Sequence, residues 1–326
     1  MYLGQKVLRN QAIAKIEELM NSDKATAEFK AAAAKFIETK DQVYWNRVGY
    51  VEVEDANGNM IAYPGLDFKF NITKFGHIYT EFDVSILGLS FESIKDLTVL
   101  GPQQAFQKRR QIRVYAGYGD KMSDAVEIAR GCIWYAKPTN PPEMWMNFKC
   151  RKWLDADVII DGQEPVDKES TRWSCFQRIA QILDLTPKWE AQRVDKDKEI
   201  GVAFSFNGHN KLHIPDAFAD RFGVIVYEDD GCLIAKDKDI AENGGGGNTH
   251  TLNMNNGLLA IGNIDLFGGD ITARLNDSYK LMDWIQLQSL MIPDAKAKYL
   301  IVSKNLVGHL RGDEWFTRYR LIREQK

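Results

Sequence analysis

The stretch Phe82-Asp83-Val84-Ser85-Ile86-Leu87-Gly88-Leu89 decides the fold class, because apolar residues fall at every second position until Gly88 interrupts the run. Period two puts Phe82, Val84 and Ile86 on one face of a strand, with Asp83 and Ser85 on the other. Directly after it, Ser90 supplies an N-cap and Glu92 a first-turn acid for a short helix through Leu97. Working outward, Phe68, Phe70 and Ile72 alternate with Lys69, Asn71 and Thr73. Earlier still, Val51 and Val53 alternate with Glu52 and Glu54, and Asn57-Gly58 offers a hairpin turn before Met60 to Tyr63. Downstream, Ile112, Val114, Ala116 and Tyr118 make a further strand, and Val126 to Tyr135 and Met144 to Cys150 complete a meander around Pro138-Thr139-Asn140-Pro141-Pro142. Strands at this spacing, broken by one short helix, predict a small closed or half-closed antiparallel barrel over residues 44–155.

Other regions read differently. Residues 1–43 predict a helical N-terminal arm: Leu8, Ala12, Ile16 and Leu19 recur at helical spacing, and so do Phe29, Ala33, Phe36 and Ile37 after Ser22-Asp23. Residues 156–250 predict an α+β insert. Trp173, Phe176, Ile179, Ala180 and Leu183 form a helical stripe that stops before Pro187. A strand over Val202 to Phe206, a helix over Ile214 to Phe222 and a hairpin from Val224 to Ala235 follow. Gly244-Gly245-Gly246-Gly247 reads as a loop tip or linker. From 251 to 326 period two returns at Ile271 to Leu275, Trp284 to Leu290, Tyr299 to Val302 and Trp315 to Ile322, giving a second β unit.

Composition excludes several function classes. The chain has 326 residues and a net charge of -3, which is no polycation for coating nucleic acid. Its densest basic groups, Lys108-Arg109-Arg110 and Arg318, Arg320 and Arg323, read as solvated faces. No apolar run approaches the roughly 20 residues of a membrane span, and Met1 to Met20 carries charges throughout, so neither an anchor nor a secretory signal is expected. Cys132, Cys150, Cys175 and Cys232 lie far apart with no C-x-x-C, as expected of reduced thiols in a protein made in a cytoplasm.

No catalytic, cofactor-binding or metal residue can be assigned from the sequence. His77, His209, His213, His250 and His309 are too scattered for a metal spacing. Asp195-Lys196-Asp197-Lys198-Glu199 begins like a calcium loop, but Ile200 stands where glycine is required and Phe206 where glutamate is required. Gly117-Tyr118-Gly119 lacks the third glycine of a dinucleotide site. Arg311-Gly312-Asp313 reads as a reverse turn between two strands.

Three segments together resemble the first barrel of baseplate hub proteins of contractile-tailed bacteriophages: Phe82 to Leu89 leading into a short helix, Ile112-Arg113-Val114-Tyr115-Ala116-Gly117-Tyr118, and Gly131-Cys132-Ile133. Trp284-Ile285-Gln286-Leu287-Gln288-Ser289, Tyr299-Leu300-Ile301-Val302 and Gly308-His309 through Trp315 are similar to the closing pattern of that family's second barrel. Residues 1–43 have no counterpart, and Asp283-Trp284 replaces a usual glycine. The resemblance implies a mainly β chain with an α+β insert, two tube-like antiparallel β-barrel domains (44–155 and 251–326), a middle domain (156–250) and a helical arm. It also implies a non-enzymatic virion protein without cofactors: a homotrimeric hub joining the hexameric tail tube to the trimeric central spike, touching other baseplate proteins, with DNA passing the lumen without specific binding. The alternatives are a tail-associated peptidoglycan hydrolase and a spike-type protein of a contractile secretion system.

Overall fold

The computed structural model describes residues 46–75, 80–229, 231–238, 248–265, 267–275, 278–288 and 297–324. The expected N-terminal arm and the four-glycine stretch lie outside them.

The first β unit runs β1 (Arg47–Glu54), β2 (Met60–Tyr63), β3 (Asp67–Phe75), β4 (Thr80–Leu87), α1 (Phe91–Leu97), α2 (Pro102–Lys108), β5 (Gln111–Tyr118), β6 (Val126–Pro138) and β7 (Trp145–Arg151). Alternation is obeyed: Phe68, Phe70, Ile72, Val84 and Ile86 are all buried. Ser90 caps α1 by accepting the Ser93 N–H. Helix α2 was not anticipated, and its signals are Pro102 at the first helical position and left-handed Arg109 at its end.

The insert holds α3 (Arg172–Ile182), β8 (Thr186–Trp189), α4 (His213–Phe222), β9 (Val224–Asp229) and β10 (Cys232–Asp237). The strand expected over Val202 to Phe206 is absent, since only Phe204 makes an isolated bridge, to Val166. Conversely β8 pairs parallel with β10 straight through Pro187, at an edge where a missing N–H is tolerated. Val224, Val226, Leu233 and Ala235 pack against α3 and α4, while Tyr227 and Ile234 on the opposite face join the core of the last β unit.

That last unit runs β11 (Thr249–Leu252), β12 (Leu258–Ile264), β13 (Gly268–Arg274), β14 (Trp284–Leu287), β15 (Lys298–His309) and β16 (Trp315–Arg323). Two separate antiparallel β-barrel domains, the first closed or half-closed, were expected. The strands instead form one 13-stranded sheet, in the order β12-β13-β16-β15-β3-β4-β7-β6-β5-β1-β2, with β14 beside β15 and β11 beside β14. No ladder among the described residues closes a barrel. The reason is β15, which is long enough to pair with β14 over its first part and with β3 from Ser303 to His309. A bulge near Ser303 on the β16 side re-aims it between the two duties. Its far end, with Leu306, and Trp315 and Leu275 beside it, belongs to the first unit's core, and its start to the second's.

Candidate assembly surfaces and the joint between units

The insert is fastened to the β body by two acids at the end of β9. Lys152, just after β7, reaches Glu228 at 2.9 Å. Lys304, on β15, is 0% exposed, stands 3.9 Å from Asp229 and donates to the Tyr279 carbonyl at 3.2 Å. Lys304 points inward because it shares the register of Leu306 and Gly308, and a charge buried there is tolerable only opposite a countercharge. Burial and then the nearby Glu190 and Asp229 carboxylates push the Tyr227 phenol well up. Glu190 itself would be raised by burial, but Lys188 and Lys236 hold it below the usual carboxylate range. A cleft of about 750 Å³ lies at this joint, lined by residues of all three units, among them Lys74, Arg130, Trp153, Leu185 and Ser278.

Side chains complete the first unit where no ladder does. Arg47 at the start of β1 donates to the carbonyls of His309, Gly312 and Asp313, and its guanidinium lies 5.5 Å from the Trp315 ring centre. Tyr118 at the end of β5 accepts the Leu275 N–H at 3.2 Å and donates to the Trp315 carbonyl at 3.4 Å, and burial pushes its phenol up to about 12. Inside, the Phe68 ring reaches across to β1, where a Cβ on Gly49 would fall 2.8 Å from it. A Cβ on Gly308 would fall 2.2 Å from the Phe70 ring, so glycine is what lets that ring lie across β15. The Arg311-Gly312-Asp313 tripeptide is the reverse turn joining β15 to β16, with Arg311 engaged by the Gly65 carbonyl and Asp67. His309 bonds Asp67 at 2.9 Å and packs edge-on against Trp145.

The outward face of the sheet is mostly polar across both units. Arg318, Asn305, Thr73, Glu81 and Arg151 stand opposite one another on successive strands, and the next row is Phe316, Val307, Asn71, Asp83 and Lys149. Asn305 donates to Asn71 and Thr73, and Ser85 donates to Asn147. Across β13, β16, β15, β3, β4 and β7, the one large apolar side chain that is strongly exposed among the described residues is Ile322. Apolar exposure concentrates elsewhere: Leu259 and Phe267 at the β12 edge and its hairpin tip, Ile61 on the β2 edge, and Phe91 and Leu100 beside the small helices.

The other residues singled out in the sequence are dispersed. Lys108 donates to the Asp96 and Thr98 carbonyls, and Arg110 grips the Asp96 carboxylate with both terminal nitrogens, so this basic group ties helix to strand. All four cysteines are free thiols, and burial pushes Cys150 well up and Cys175 up to about 12, leaving both unreactive. His250 bonds Asp283, and His209 and His213 flank the start of α4 without a shared ligand set. No group of His, Cys, Asp and Glu able to hold a metal occurs among the described residues, the Asp195 segment included. No described helix is long and apolar enough to cross a membrane. The sequence reading placed Tyr118 in a strand but gave no joining role to it or to Arg47, Lys304 and Asp229. Only Lys304 carried a signal, a charge at a position whose strand neighbours two residues away, Val302 and Leu306, are apolar.

Comparison with known proteins supports the same class. Among curated proteins none matches the chain by sequence. A tail protein from Neisseria meningitidis MC58 superposes with a TM-score of 0.57 at 11% identity, over 84% of this chain and 96% of its own. A 43 kDa tail protein of prophage MuSo2 from Shewanella oneidensis gives 0.55 at 9% identity, over 84% and 98%. An Escherichia coli component of the type VI secretion system, described as similar to T4 tail proteins gp27 and gp5, gives 0.50 at 10% identity over 80% and 74%. These likenesses concern fold. The family described as baseplate hub gp41 matches residues 50–315, four-fifths of the chain, and the chain belongs to the baseplate hub gp41 family.

Proposed function

We propose that the chain is a non-enzymatic hub subunit of the virion baseplate, made in the host bacterial cytoplasm, which forms a homotrimer between the hexameric tail tube and the trimeric central spike. The observation that carries this is the single sheet spanning two β units through β15. One subunit then offers two tube-like units, residues 44–155 and 251–326, held at fixed separation, with residues 156–250 as a middle domain and 1–43 as an arm. Three subunits offer six such units on one face and threefold symmetry on the other, which is what an adaptor between sixfold and threefold partners needs. Other baseplate proteins complete the surroundings.

The distribution of surface supports the same reading. Edges and tips with Leu259, Phe267 and Ile61 are suited to burial against neighbours, whereas the polar face suits the wall of a channel through which DNA passes. A spike-type role in a contractile secretion system is the second reading, favoured by the likeness to the Escherichia coli component. Light scattering over a wide concentration range tests the first. The expected species is about 112 kDa, three copies of 37.2 kDa. A chain that stays monomeric throughout, or closes as a dimer, overturns self-assembly into a threefold hub.

A further inference from the structure

The basic residues near the C-terminus, Arg318 and Arg320, find their place on the outward face of β16, and both are exposed. Two residues apart on one strand, they point the same way at about 6.8 Å spacing. The Arg318 guanidinium lies 4.9 Å from the Phe316 ring centre, which pre-orders it. Its cross-strand neighbours, Thr272 and Asn305, are uncharged, and Asn305 is itself fixed by Asn71 and Thr73. Arg320 faces Ser303 on one side and Asp270 on the other, so one acid tempers the stripe. Lys69 and Lys149 carry positive charge onto β3 and β7, where Asp83 stands opposite Lys149 and Glu81 pairs with Arg151. In a chain of net charge -3, the β16 end of this face carries two exposed arginines against the one acid Asp270 beside them.

We propose that this face makes weak, sequence-independent contacts with the phosphate backbone of double-stranded DNA through the Arg318 and Arg320 guanidiniums. The inference rests on the channel reading above and gives it a chemistry. Guanidiniums on a flat strand face meet phosphate oxygens without entering a groove, so the contact carries no sequence information and is easily released. Contacts of this kind let a duplex move along a wall while counterions exchange.

The test is fluorescence anisotropy of the full chain with a labelled duplex of about 20 base pairs, between roughly 50 and 200 mM salt. The wild type is expected to bind weakly, with affinity falling steeply as salt rises. Replacing both residues (Arg318→Gln with Arg320→Gln) is expected to flatten the log–log salt slope by about 2, one phosphate contact per guanidinium. Arg318→Lys with Arg320→Lys keeps charge and strand and is expected to retain the slope. Removing two distant loop cations (Lys196→Gln with Lys198→Gln) is expected to leave binding unchanged. No binding by the wild type at the lowest salt, or an unchanged slope in the glutamine variant, overturns the proposal. Light scattering on the same samples separates the two readings. A chain that forms no three-copy species yet binds through Arg318 and Arg320 breaks the hub reading and leaves the phosphate contact standing. A three-copy species blind to DNA does the reverse.

Discussion

The two β units bury aromatic cores of similar character but finish their edges differently. The first places Phe68, Phe70, Phe148 and Trp315 at its centre and ties β1 and β5 to the start of β16 with Arg47 and Tyr118. Its free edge is the four-residue β2. The second centres on Trp284, Tyr299 and Tyr319, borrows Tyr227 and Ile234 from the insert, and ends at β12. That edge strand, Leu258-Leu259-Ala260-Ile261-Gly262-Asn263-Ile264, has no charged residue, and two register shifts interrupt its pairing with β13. Bulges twist an edge away from unwanted partners, but Leu259 at 52% and Phe267 at 74% exposure remain uncovered. The first unit is thus completed by β15 and β16 of the same chain, whereas the second leaves apolar side chains exposed at its edge.

The comparison breaks first, and hardest, at Trp315. Trp315→Ala is expected to cost about 3–5 kcal/mol in chemical denaturation, because it removes the ring that Phe68, Phe70 and Arg47 pack upon. Trp284→Ala in the second unit provides the control. If Trp315→Ala costs less than about 1 kcal/mol while Trp284→Ala costs several, the packing of β16 on the first unit's core does not hold that unit together. Next comes the joint. Lys304→Met strips the cation from a buried carboxylate and is expected to destabilise by about 3 kcal/mol. Adding Asp229→Leu should recover most of it, and a double variant as weak as the single would show that this ion pair does not fasten the insert. The smallest effect sharpens the comparison at the rim of the first unit. Arg110 holds the Asp96 carboxyl below its usual range. A depressed acid contributes stability above its ordinary value of about 4, lost as pH falls through its folded-state value. Because the Asp96 side chain is 39% exposed, solvent screening limits the contribution to about 1 kcal/mol. Thermal melts of wild type and Arg110→Gln at neutral pH and near pH 3 should converge in acid, and a constant gap would refute the linkage.

Much of the local structure was legible because strand alternation and helix caps are written in adjacent residues. Phe82 to Ile86, the Ser90 cap and the stripe on α3 all fell where period and capping put them. Pro187 and Val202 to Phe206 misled for opposite reasons. An edge strand accepted a proline, and an apolar alternation was used for packing into the insert's core rather than for a ladder. The continuous sheet was not legible, since pairing of β15 with β3 joins residues more than 200 positions apart and leaves no local trace. Residues of the surfaces were harder still. Arg318 and Arg320 were visible as a basic group, but only the register showed that they share one face with Asn305 and Asn71.

The shared strand has a mechanical consequence. From Ser303 to His309, seven residues of β15 lie in antiparallel register with β3. A pull along the strand axis loads every rung of that stretch at once in shear, whereas a pull across it would open the rungs one after another. Tension directed along β15 therefore meets the stiff direction of the join, and the two units transmit it as a single strut rather than hinging about a linker.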